Sequence, residues 1–136
     1  MSYHTSAKVF ILLICILAIT LSACSTQAAQ SISYDPAKKY AAFAVIDSSA
    51  SASILDTAKQ QSIADGFEIG PIEYYSNQTQ DFDSIVQKLT VSKQITLIWI
   101  LGDLMDAPAI RKSAAKFGYS GGYRILPVSG QSLPKQ

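Results

Sequence analysis

The sequence predicts an α/β fold, a small three-layer domain with a parallel sheet and helices on both faces, in the order β-α-β-α-β-α-β. Three observations carry this reading. From Asp81 to Gly118 the chain reads as amphipathic helix, buried strand, loop and amphipathic helix, half of a β-α-β unit. Inside it the run ITLIWIL, Ile95 to Leu101, is β-branched and aromatic with no polar alternation after Thr96. A strand of that composition is covered on both faces, as parallel strands are, and should be the central one. Glycines at Gly66 and Gly118 follow the last periodic residues of two helical stretches, where a left-handed stop belongs.

Residues 1–23 stand apart from the fold as a targeting segment. Lys8 is their only charged residue, and Val9 to Thr20 is an apolar core of signal-peptide length, too short to span a bilayer comfortably. It ends in Leu21, Ser22, Ala23 and Cys24, and this LSAC sequence resembles the lipobox of bacterial lipoprotein precursors. The resemblance implies cleavage before Cys24, acylation of Cys24, and anchorage of the domain in the cell envelope facing the periplasm. Ser25 after the cysteine resembles the sorting position of outer-membrane lipoproteins. Residues 24–37 then read as the lipidated cysteine and a small, polar, aperiodic tether, with one α/β domain over residues 38–136.

Within the domain each element has its own signal. Tyr40 to Ile46 is a short apolar run between Lys38, Lys39 and the polar Asp47, Ser48, Ser49, which suits a buried first strand. Between Ser51 and Asp65 the positions Ile54, Leu55, Ala58 and Ile63 make a helical stripe. Phe67 to Tyr75 has strand composition with a Gly-Pro interruption, pointing to a less protected or irregular strand. Phe82, Ile85, Val86 and Leu89 share a helical face that Asp81 can cap. After the central strand, Asp106 supplies an N-cap, Pro108 fits the first turn, and Ile110, Ala114 and Phe117 share a face. Tyr123 to Val128 reads as the last strand. Trp99 belongs to the core, Gly118, Gly121 and Gly122 are turn glycines, and Arg111, Lys112 and Lys116 form a solvated face.

The mature part, 136 − 23 = 113 residues, holds ten acidic and ten basic residues, so its formal charge is 10 − 10 = 0. That excludes a nucleic-acid footprint and a polybasic membrane patch. The one histidine, His4, and the second cysteine, Cys15, leave with the signal segment, and Cys24 is expected to carry lipid. His-based triads, cysteine nucleophiles, His/Cys metal sites and structural disulfides are thereby excluded, and no cofactor is implied. Carboxylate chemistry or a Ser/Lys pair stays open, and the chain reads as a non-enzyme.

In open parallel sheets ligands bind beyond the carboxyl ends of the strands. Here that edge is formed by Asp47 to Ser51, Tyr75 to Thr79, Gly102 to Asp106 and Ser129 to Ser132. The order and spacing of AFAVIDSSASASIL, FEIGPIEYYSNQTQDFDSIVQKL, LIWILGDLMDAPAIRKSAAKFGY and RILPVSG resemble one lobe of a type I periplasmic binding protein, the group that includes branched-chain amino acid receptors. The resemblance implies a Rossmann-like lobe whose strand ends face a cleft. Ser48, Ser49, Ser51, Asp103 and Ser129 are the ligand-binding candidates it leaves. The chain is long enough for one lobe, so the cleft lacks its opposite wall. Two expectations follow: an interaction module for another envelope protein or for self-association, or a receptor component for a small, polar, amino-acid-like solute.

Overall fold

The protein is described by a computed structural model over residues 32–128. Seven elements follow one another as β1 (Tyr40–Ile46), α1 (Ser51–Ala64), β2 (Glu68–Tyr75), α2 (Asp83–Leu89), β3 (Ile95–Gly102), α3 (Asp106–Lys116) and β4 (Gly122–Pro127). The four strands form one parallel sheet in the order β2-β1-β3-β4. The alternating α/β order and the parallel sheet are those expected from the sequence. β3 pairs with β1 on one side and β4 on the other, which makes it a central strand.

The step from β1 to β2 runs one way across the sheet, and the steps to β3 and β4 run the other way. Crossovers of a single hand therefore put α1 on one face and α2 with α3 on the opposite face. The packing follows that division. Ala41, Phe43, Val45, Leu97, Trp99 and Leu101 point toward Leu55 and Ala58 of α1. Ala42, Ala44, Ile98 and Ile100 point toward Val86 and Leu89 of α2 and Ile110 and Ala114 of α3. Each fully buried large side chain, such as Phe43 or Ile98, contributes about 1.5–3 kcal/mol relative to exposure. Both clusters are built from residues within 34–128, so the compact unit that begins at Ile32 has its own core.

Both expected glycine stops occur. Gly66 and Gly118 have φ of 82° and 76°. At each, two backbone bonds close a Schellman motif: Gly66 N–H to Ile63 O and Phe67 N–H to Ser62 O, then Gly118 N–H to Ala115 O and Tyr119 N–H to Ala114 O. The Gly-Pro interruption of β2 is a register shift against β1, between Ala41↔Ile69 and Phe43↔Ile72. An edge strand tolerates this because Pro71 has no N–H to give the ladder.

Four expectations are corrected. Ile63 is 62% exposed, and the buried stripe of α1 is Ser51, Leu55, Ala58 and Ser62. Ser62 faces inward because the Trp99 indole N–H donates to its hydroxyl at 2.7 Å, and that hydroxyl donates to Ala58 O at 2.8 Å. Phe117 does not extend the α3 stripe. The helix has already turned at that point, leaving Phe117 39% exposed, and Tyr119 packs against the core instead. Asp106 is the first residue of α3, not its cap. The turn before it is closed by Asp103, whose Oδ1 accepts the Met105 N–H at 3.0 Å and whose carbonyl accepts the Asp106 N–H at 3.1 Å. Asp81 likewise stands one residue before the N-cap of α2, which is Phe82, and accepts the Asp83 N–H at 2.9 Å.

Candidate functional site

The switch in strand order lies between β1 and β3, where their outgoing loops diverge to opposite faces. Crevices in doubly wound sheets form at such points. An open cavity of about 260 Å³ occupies it, lined by Ile46, Ser48, Ser49, Ala50, Gly102, Asp103 and Val128. Three of the candidate residues, Ser48, Ser49 and Asp103, thus come together from two loops that are more than fifty residues apart in sequence.

Ser51 sits behind this wall. It is buried at the start of α1, its hydroxyl donates to Ile46 O, and its Oγ is 2.7 Å from Ser48 Oγ. These bonds tie the β1–α1 loop to the end of its own strand and so hold Ser48 at the cavity. Ser129 and Cys24 lie outside the described residues.

On the other side of Gly102 stands Tyr75, the last residue of β2. Its hydroxyl donates to Asp106 Oδ2 at 3.1 Å, and its ring stacks edge-on to Phe82 at 5.2 Å between centroids. Burial, with the Asp106 and then Asp103 charges nearby, raises the phenol well above its ordinary value, so the hydroxyl stays a donor. A glycine is required beneath it, because a Cβ on Gly102 would fall on the Tyr75 hydroxyl. The Tyr75–Asp106 pair was not among the sequence candidates. A Gly-Asp step directly after a long apolar strand is the signal that a close approach occurs there, but it does not say which side chain approaches.

The floor was also missed, since Ile46 and Val128 read in sequence only as strand ends. Around the cavity the β3–α3 loop presents Leu104 and Met105 to solvent, Met105 at 80% exposure. The lining carries one charged group, Asp103, with one of its oxygens already bonded to the backbone. Chemically this arrangement offers two hydroxyls, a carboxylate and a small apolar floor. The hydrogen bonds of the paired serines hold a loop and do not activate a nucleophile.

No protein-family profile matches the sequence, and no curated protein matches it.

Proposed function

We propose that this chain is a lipid-anchored bacterial envelope protein, non-enzymatic, whose single lobe of periplasmic-binding-protein type acts as an interaction module through the carboxyl edge of its sheet. The anchor part of the reading rests on the LSAC motif at Leu21 to Cys24 behind the apolar run, with the outer membrane as the destination suggested by Ser25. The interaction part is carried by one observation: Leu104 and Met105 stand exposed on the loop that borders the cavity. At about 260 Å³ the cavity falls short of the roughly 300–1,000 Å³ in which proteins bury small ligands, while exposed apolar side chains beside a concavity suit a protein surface.

The test is photo-crosslinking in cells from Met105 and, as a control, from the solvated position Lys112. A defined partner or self-adduct from Met105 alone supports the module, and identical patterns from both positions overturn it. The anchor is tested separately: Cys24→Ser should release the domain from membranes washed at high salt, which screens electrostatic surface contact and leaves acyl anchorage in place.

A receptor for a small polar solute is the second reading, favoured by the meeting of Ser48, Ser49 and Asp103 in one cavity. Thermal stabilisation by an amino acid or small amide, lost in Asp103→Ala, would establish it.

A further inference from the structure

In a parallel sheet every helix-to-strand connection, and the segment leading into β1, falls at the amino edge, opposite the crevice described above. That edge is the second place where apolar side chains are exposed: Val91 at 66%, together with Phe117 and Ile32. Val91 and Phe117 border one open cavity of about 610 Å³ between the α2–β3 and α3–β4 connections. Its single charged lining residue is Lys93, and no carboxylate lines it.

Lys39, the residue before β1, stands alongside. Tyr40 N–H donates to Gln94 O at 2.9 Å, which sets residue 39 next to the Lys93–Gln94 step. Of the acids at this edge, Glu68 is paired with Lys38 and Asp65 with Arg124. Asp35 is the one further carboxylate of these segments, against the unpaired Lys39 and Lys93 among the described residues.

We propose that this amino edge is a lipid-facing surface, seated on an anionic bilayer through Val91 and Phe117, with Lys39 and Lys93 toward the headgroup phosphates. The choice of a bilayer as occupant rests on the lipid-anchor reading of Cys24. Seven residues, 25–31, separate Cys24 from Ile32. Eight virtual bonds reach at most roughly 28 Å, so an acylated Cys24 keeps the start of the domain close to the headgroups. Ile32 leads into β1, hence into the same edge. Apolar side chains flanked by lysines are the composition that settles at an interface, where anionic lipid attracts the ammonium groups. The geometry then turns Leu104 and Met105, on the opposite edge, away from the membrane and toward a partner.

The test uses the chain from Ser25 onward, without acyl group, mixed with vesicles of phosphatidylethanolamine containing a minority of phosphatidylglycerol, and with vesicles of phosphatidylethanolamine and phosphatidylcholine. The expected result is co-sedimentation with the anionic vesicles and much less with the neutral ones. Lys39→Gln and Lys93→Gln should each weaken binding about fivefold. The Val91→Ser/Phe117→Ser double variant should abolish it while keeping the circular dichroism of the parent. Met105→Ser on the far edge should bind as the parent does. Absence of sedimentation with anionic vesicles, or equal loss in Met105→Ser, overturns the proposal. Because no acyl group is present, this outcome is independent of whether Cys24→Ser releases the protein in cells.

Discussion

At Gly102 the backbone passes directly beneath the Tyr75 ring, where an added Cβ would meet the hydroxyl and lie 3.0 Å from Cζ. Gly102→Ala should therefore push Tyr75 aside and break its bond to Asp106. Overpacking of this kind costs about 1–3 kcal/mol, visible as a lower urea midpoint at unchanged slope. The same tyrosine makes stability depend on alkaline pH. Its phenol is raised in the folded protein by burial and then by Asp106, so the unfolded chain loses its proton first and folding weakens as pH climbs past roughly 10, the ordinary tyrosine value. Tyr119 is shifted the same way by burial. The melting temperature should fall in that range, and Tyr75→Phe should flatten part of the slope; an unchanged slope in that variant would remove Tyr75 from the account. Ser48, Ser49 and Asp103 could be placed from sequence because the ends of parallel strands share an edge. The Tyr75–Asp106 contact could not, because it depends on how β2 and β3 lie on either side of β1, which no local pattern records.

Helix α1 shows how an element's existence can be legible while its orientation is not. A stripe of Ile54, Leu55, Ala58 and Ile63 is the apolar choice, yet the helix turns so that Ser62 is fully buried and Ile63 faces solvent. The deciding partner is Trp99, thirty-seven residues away, whose indole N–H needs an acceptor inside a dry core. Ser62→Ala should leave that donor unsatisfied and cost about 1–3 kcal/mol, whereas Ile63→Ser should stay within roughly 0.5 kcal/mol of the parent. Urea unfolding followed by fluorescence measures both, since Trp99 is the one tryptophan of the chain. Equal costs at the two positions would mean that the helix is turned differently. By contrast, the ends of α1 and α3 were legible to the residue, because a left-handed glycine that closes two backbone bonds is a local solution to a local problem.

Across the molecule the two faces of the sheet are covered unequally, by α2 and α3 on one side and α1 alone on the other. Strand composition and alternation made the layered class legible, but not how one helix, packed on β1 and β3, could close a face that continues onto β4. Part of the cover comes from β4 itself. Trp99 pairs in register with Arg124, whose guanidinium lies over the indole ring at 5.3 Å from its centroid and is held by Asp65 at the end of α1. Leu126 and Val128 extend the cover along the same face. Arg124 thus acts through its packed stem and its planar head together, which is why its removal reaches beyond a surface ion pair. Arg124→Ala should expose the indole, shift Trp99 emission to longer wavelength and lower stability by about 1–2 kcal/mol. Arg124→Lys keeps the charge but lacks a plane to lie on the ring, so it should recover only part of that loss. Asp65→Asn removes the anchor and leaves the stacking, so its emission should stay close to the parent's. If Arg124→Ala left the emission unmoved, the face over β3 and β4 would have to be closed by something other than this stacked pair.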